Sequence, residues 1–271
     1  MEQIIFYILI FCIGTLFGSF FTLAVYRIPL HQDITHKRSY CPNCKHKLSF
    51  LDMIPIISYI ALRGKCKYCK QKIKIRYLFL ELLTGITFLL FAMSLKICFY
   101  PLEVSKLIYL IFSFFYIAGL IIIAGIEKEK HKIYKSLLLY EISVISLYMI
   151  YLYTVEQTNI YRYVIYLFFI VLFLILENAY LKRKLKDSYT LEILELSMIM
   201  AMFSYEVNFI LTTIFTLLII TFESIIKKLK EGKNKVIKKT NENSTVIPIG
   251  FYLCITNIII IIVLNWIACR R

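Results

Sequence analysis

The chain has 271 residues, 60% of them hydrophobic and only 8 of them glycine, with a mean hydropathy of +0.74. A water-soluble domain of that length cannot use so much apolar surface, so composition excludes an ordinary globular protein and places most of the chain in lipid. The formal net charge of +15 fits either nucleic-acid affinity or the basic bias of cytoplasmic membrane loops, and the positions of the charges separate the two.

Taken in chain order, apolar runs near the ~20 residues that cross about 30 Å of hydrocarbon as a helix fall at 4–25, 77–98, 107–126, 133–153, 163–176, 208–226 and 247–267, with a weaker run at 191–203. The reading is an all-α, polytopic membrane protein of about eight transmembrane helices, an even number that puts both ends on one side. The first run follows Glu2 and is not followed by a small-x-small cleavage site, so it is read as a retained helix and not as a cleaved signal.

Of the 32 basic residues, 27 lie in 27–76, 128–135, 182–186 and 227–239, which are alternate connections of the eight-span topology. The positive-inside bias assigns these four segments to the cytoplasmic side and both termini to the other. Their partner is then the lipid bilayer, each lysine near an anionic headgroup surface contributing about 1 kcal/mol, and no nucleic acid is needed to explain them. Segment 227–244 reads as a solvated linker.

The first cytoplasmic loop, 27–76, contains Cys41-Pro42-Asn43-Cys44 and Cys66-Lys67-Tyr68-Cys69, with 21 residues between the pairs. Four thiolates at such spacings can close a tetrahedron around zinc with no vacant position, which is a structural site. Lys45, Lys47, Lys65, Lys67 and Lys70 offset the thiolate charge and favour metal capture. Disulfides are the first alternative, at odds with a reducing cytosol; a redox pair is the second, and it lacks the surrounding strand and helix pattern. His46 reads as a bystander, and His31, His36 and His131 have no usable partner spacing. Cys12, Cys98, Cys254 and Cys269 read as small apolar residues in or at the ends of spans.

Glu127, Glu129 and Asp187 all fall at the cytoplasmic face of this topology. Taken as residues alone, they are interfacial charges among lysines. Glu141, Glu177 and Glu195 lie deeper, where exposure to lipid is costly, and are expected to face protein or water. The many tyrosines and phenylalanines fill spans and interfacial belts, and Met198, Met200 and Met202 are packing residues.

The order Gly18-Ser19-Phe20-Phe21, Tyr26-Arg27-Ile28-Pro29, Arg38-Ser39-Tyr40-Cys41-Pro42-Asn43-Cys44, Ile54-Pro55-Ile56-Ile57-Ser58-Tyr59, Leu62-Arg63-Gly64-Lys65-Cys66, Ile75-Arg76-Tyr77 and Glu81-Leu82-Leu83-Thr84-Gly85 resembles the type IV prepilin peptidases. Ile247-Pro248-Ile249-Gly250 resembles a later element of the same family. The resemblance implies an A24-type membrane aspartyl endopeptidase of the bacterial cytoplasmic membrane. It implies cleavage of the basic leader of type IV prepilins or pseudopilins at the cytoplasmic face. It also implies a division into an N-terminal region, 1–99, carrying the four-cysteine loop, and a peptidase-like region, 100–271.

Hydrolysis by a carboxylate pair needs two acids sharing one proton, one activating water and the other protonating the carbonyl or leaving amine. The family positions align with Glu127 and Asp187, which the topology independently places at one membrane face. Several residues depart from the family pattern. Glutamate stands at the first acid, Ile133-Tyr134-Lys135 replaces Ile-Pro-Asp, and the glycines and lysine of Gly-x-Gly-Asp-x-Lys are absent. The additional methylene of Glu127 moves the carboxylate by roughly 1 Å. Glu129, further into the solvated loop, ranks behind it.

Some members of the family also methylate the new amino terminus. That activity implies S-adenosylmethionine, for which no glycine-rich loop appears. The competing reading is a silent relative that binds pilin precursors or assembly proteins. A zinc-stapled scaffold or transporter leaves the ordered N-terminal matches unexplained and calls for broken or repeated spans.

Overall fold

In the computed structural model the described residues are 2–34, 39–41, 43–97, 103–155, 161–176, 189–204, 206–233 and 247–268. They form α1 (Glu2–Arg27), α2 (Ile57–Ala61), α3 (Arg76–Ser94), α4 (Val104–Lys130), α5 (Lys135–Thr154), α6 (Tyr161–Leu176), α7 (Tyr189–Phe203), α8 (Glu206–Lys233) and α9 (Ile249–Ala268), with 3-10 turns at Ile28–Leu30 and Leu51–Met53. Among the described residues there is no strand, only two isolated bridges.

The eight apolar runs fall on eight of these helices. Six have the length and hydropathy to cross a membrane: Glu2–Leu30, Arg76–Ser94, Val104–Lys130, Lys135–Thr154, Val207–Ile226 and Ile249–Ala268. α6 and α7, with 16 and 15 residues, are shorter than the ~20 residues of a full span. Two features depart from the sequence reading. α2 is a helix inside the first loop, and α8 continues to Lys233, where the sequence reads as a linker from 227. Lysine and glutamate are good helix formers, so an established helix propagates into such a segment.

The chain divides into two compact units, Met1–Ile122 with Asn265–Arg271, and Ile123–Leu264. In the first unit α1 and α3 run antiparallel in close contact. An added Cβ at Gly14 would lie 2.8 Å from the Gly85 Cα, and one at Gly18 would lie 2.7 Å from the Glu81 Cα. Gly14 and Gly18 are four residues apart on one face, the small-xxx-small pattern that lets helix backbones touch in lipid, where dispersion replaces the hydrophobic effect as the driving force. Phe88 of α3 stacks on Phe114 of α4 with ring centroids 4.2 Å apart.

In the second unit α7 packs on α5, α6 and α8. α8 and α9 are joined by hydroxyl and amide contacts: Thr216 and Thr256 share a hydrogen bond of 2.6 Å, and Asn257 Nδ2 donates to Thr212 Oγ1 at 3.3 Å. Such bonds between helices are worth about 0.6 kcal/mol each in a membrane protein. Glu141 and Glu195 are 0% and 2% exposed, so both face protein as their cost in lipid demands. Glu177 lies outside the described residues.

Candidate metal centre and buried carboxylate site

Each Cys-x-x-Cys pair is folded by its own backbone. The Cys41 N–H donates to the His46 carbonyl at 3.0 Å and the Lys45 N–H returns to the Cys41 carbonyl at 2.8 Å; the Cys66 N–H donates to Gln71 at 2.8 Å and the Lys70 N–H to Cys66 at 3.0 Å. Lys45 and Lys70, each directly after the second cysteine of its pair, both take positive φ, 59° and 57°. The two turns are therefore copies of one knuckle, closed by the bridges Tyr40 to Lys47 and Lys65 to Lys72. A left-handed residue costs a side chain about 1 kcal/mol per position, and both lysines hold it because the knuckle bonds on either side demand the turn.

The knuckles bring the four sulfurs of Cys41, Cys44, Cys66 and Cys69 within 4.8 Å of one another. A tetrahedral Zn–S distance of about 2.3 Å implies a sulfur-to-sulfur edge of roughly 3.8 Å, and Cys41 Sγ lies 3.8 Å from Cys69 Sγ. A disulfide needs about 2.05 Å, and these cysteines are free thiols. The donor set fits a four-thiolate metal ion such as zinc. His46 is not part of it: its ring packs on Tyr68 at 3.6 Å between centroids.

Without metal the thiols are unequal. The Gln71 backbone N–H, then the Asn43 amide, pull the Cys69 thiol down to about 6. The His46 backbone N–H favours the Cys44 thiolate, but desolvation and the facing Cys41 and Cys69 sulfurs outweigh it and push Cys44 up to about 11. The first knuckle is tied to α1 through Arg27, which is 2% exposed and donates from Nη1 to the Asp33 carbonyl at 2.9 Å. Arg27 and Lys45 both lie over the Tyr40 ring, at 5.6 and 5.5 Å, a cation–π arrangement. Beneath the knuckles is a cavity of about 240 Å³ lined among others by Tyr26, Tyr40, Tyr59, Tyr77 and Glu81.

In the second unit, Glu127 sits one turn before the end of α4 and is fully buried. Its Oε1 accepts from the Gly250 N–H at 2.8 Å and from the Tyr189 hydroxyl. Its Oε2 is buried with no hydrogen-bond partner among the described residues. Gly250 is the second residue of α9, where N–H groups have no partner within their helix and readily bind an anion. A Cβ there would overlap the Glu127 carboxyl group, 2.9 Å from Cδ, so any larger residue displaces that side chain. Lys128, next on α4, places its Nζ 4.7 Å over the Phe251 ring.

Of the predicted site residues, the four cysteines come together and Glu127 is inside the protein, whereas Glu129 is exposed. Asp187 lies outside the described residues. Tyr189 and Gly250 are partners of Glu127 that sequence reasoning missed. The Ile-Pro-Ile-Gly element at 247–250 marks the glycine, but only the fold says which side chain occupies the missing Cβ.

The family model for the bacterial peptidase A24 N-terminal domain matches residues 12–95. The prepilin leader peptidase/N-methyltransferase of Myxococcus xanthus is 42% identical over 84 residues, 31% of this chain and 25% of that protein. The protein of the same name from Vibrio cholerae is 39% identical over 85 residues, covering 28% and 34%, and that from Bacillus subtilis 41% over 80 residues, covering 30% and 32%. The matched stretch thus spans between a quarter and about a third of the length of these relatives. No solved structure matches the chain. Residues 12–95, with α1, both cysteine knuckles and α3, are similar to the N-terminal domain of the bacterial A24 peptidases, and that third of the chain carries its relationship to the type IV prepilin peptidases.

Proposed function

We propose that this multi-pass membrane protein is an aspartyl-type prepilin peptidase in which 1–99 forms the zinc-stapled N-terminal region and 100–271 carries the acids. The substrate is the basic leader of a type IV prepilin or pseudopilin, cut at the cytoplasmic face of the bacterial inner membrane. The observation that supports the catalytic reading best is Glu127: a fully buried carboxyl group held through one oxygen by Tyr189 and Gly250, with no hydrogen-bond partner for the other oxygen among the described residues. In the sequence Asp187 stands two residues before Tyr189, the residue whose hydroxyl donates to Glu127, and this neighbourhood is what supports Asp187 as the second acid.

In this reading Tyr189 and Gly250 fix the Glu127 carboxyl, Oε2 exchanges a proton with the attacking water or the leaving amine, and Asp187 supplies the second carboxylate. The zinc site is structural: four thiolates leave no position for substrate. The names of the relatives join the peptidase to an N-methyltransferase. We extend the proposal to methylation of the new amino terminus with S-adenosylmethionine as donor.

The test is leader cleavage of a prepilin from the same organism by the purified protein in detergent, beside Glu127→Gln and Asp187→Asn. Cleavage lost in both variants, with zinc content unchanged, supports the pair. Cleavage that persists in Glu127→Gln overturns the catalytic assignment. Binding without cleavage by the unmodified chain makes it a silent relative.

A further inference from the structure

The segment between the 3-10 turn Leu51–Met53 and the end of α2 (Ile57–Ala61) has its polarity reversed. Phe50, Leu51, Ile57 and Ile60 are 81%, 74%, 63% and 65% exposed. From the same two elements, Asp52, Met53, Ser58, Tyr59 and Leu62 line the cavity, and Asp52 accepts from the Ser49 hydroxyl at 2.7 Å. On a helix, positions 57, 60 and 61 share one face and 58, 59 and 62 the other. In water such a helix would turn its isoleucines inward and its serine outward. The turn packs directly on α2, so the exposed side chains form one surface.

The depth of this surface is set by Glu81. Its Oε2 accepts the Ile56 N–H at 2.8 Å. Glu81 is five residues into α3 and lies against Gly18, nine residues before the end of α1. At 1.5 Å per residue these positions are about 7 and 13 Å inside the ends of two membrane-spanning helices. The chain therefore descends from the knuckles and turns at Pro55–Ile57 within the span of α1 and α3. Ile56 makes that turn with φ 62° and ψ −53°, and the Ile57 N–H donates to the Pro55 carbonyl at 2.5 Å. This is a γ-turn that a β-branched residue rarely adopts.

Irregular backbone at such depth is tolerated only where its polar groups are satisfied. Here the N–H groups of Asp52, Met53, Ser58, Ile60, Leu62 and Gly64 all donate to nearby carbonyls of the same segment. Above it Arg63, Lys65, Lys67, Lys70, Lys72 and Lys74 are exposed, the charge that an anionic headgroup layer attracts. At the start of α3, Ile75 and Phe79 are 71% and 67% exposed, as expected of apolar side chains on a membrane-spanning helix that face lipid.

We infer that 50–61 is a re-entrant, membrane-embedded element whose outer face of Phe50, Leu51, Ile57 and Ile60 contacts lipid acyl chains. The first loop is then a basic, metal-stapled cap on a segment dipped into the bilayer. This inference stands on the geometry of the first unit and is independent of catalysis.

The test uses fluorescence, because Trp266 is the one tryptophan of the chain. In a Trp266→Phe background, Ile60→Trp, Phe50→Trp and, as a water-facing control, Lys67→Trp are reconstituted into phosphatidylcholine and phosphatidylglycerol vesicles. Half of the preparations carry bromine on the acyl chains. The expected result is a blue-shifted emission from the Ile60→Trp and Phe50→Trp proteins that loses most of its intensity to brominated lipid and little to aqueous acrylamide, with the reverse for Lys67→Trp. Quenching of the first two by acrylamide, and not by brominated lipid, overturns the inference. So does emission that is shielded only after a prepilin is added, which would make this face a precursor-docking surface. If one variant fails to fold, as judged by its elution as a monodisperse species, the other decides.

Discussion

Replacing Gly250 by alanine separates a positioning role for this residue from a merely structural one. In an ordinary helix the change stabilises by about 0.5 to 1 kcal/mol. Here the new Cβ meets no backbone atom among its nearest contacts; all three are atoms of the Glu127 carboxyl group, with Cδ at 2.9 Å and Oε1 at 3.1 Å. The cheapest response is rotation of the Glu127 side chain, which breaks its bond to the Gly250 N–H. The lost hydrogen bond costs about 1 to 3 kcal/mol against the helix gain, so the net loss of stability lies between about 0 and 2.5 kcal/mol. The carboxyl moves by roughly 1 Å or more, and a misplacement of that size costs about 100-fold in rate. The assay pairs thermal unfolding in detergent with initial rates of prepilin cleavage. A Gly250→Ala protein that still unfolds cooperatively, with an unfolding temperature equal to or moderately below that of the parent, and with cleavage reduced about 100-fold meets the expectation. Cleavage retained within a few-fold refutes the claim that Gly250 seats the catalytic carboxyl.

Tyr189→Phe removes the other donor to Glu127 while keeping the ring, and its cleavage rate is expected to fall about tenfold or more, the equivalent of one hydrogen bond to a charged group; an unchanged rate would detach Tyr189 from the site. Gly14→Val forces a side chain against the Gly85 backbone, 2.8 Å away at Cβ alone, and should destabilise the α1 and α3 pair by about 1 to 3 kcal/mol, read as a lower unfolding temperature that Gly85→Ala does not rescue. Elemental analysis of the purified protein should find one zinc per chain, lost in Cys66→Ser, and a chelator that strips it should lower the unfolding temperature. Metal affinity should rise with pH: at neutral pH Cys69, at about 6, is already a thiolate, whereas Cys44, at about 11, must release its proton to bind. Protons and metal therefore compete, and the slope steepens below about 6 as Cys69 protonates as well. A competitive chelator titration from about pH 5.5 to about pH 8.5, bracketing the protonation of Cys69, that finds a flat affinity would contradict this.

Local pattern determined a great deal about this protein. The apolar runs announce helices because a helix satisfies its backbone within the segment, so lipid selects for length and composition alone. The cysteine centre was legible for a similar reason. Each Cys-x-x-Cys knuckle closes through bonds between residues a few positions apart, such as Cys41 with His46 and Cys66 with Gln71, and only the pairing of the two knuckles is long-range. Glu127 could be selected from the sequence as an acid at the end of a span, but its environment could not. Tyr189 is 62 residues away and Gly250 is 123 away, and no periodicity encodes which helix N-terminus will meet which carboxyl. The same holds for Ile57 and Ile60, which the sequence leaves in a cytoplasmic loop with no helix assigned, until the bond from Ile56 to Glu81, 25 residues along the chain, bears on their depth. The sequence thus determined which helices are long and apolar enough to span a membrane and which side chains can ligate metal, since both follow from short-range geometry. The tertiary structure alone decided what faces the buried carboxyl and what faces the lipid, since those depend on helix packing between residues remote in the chain.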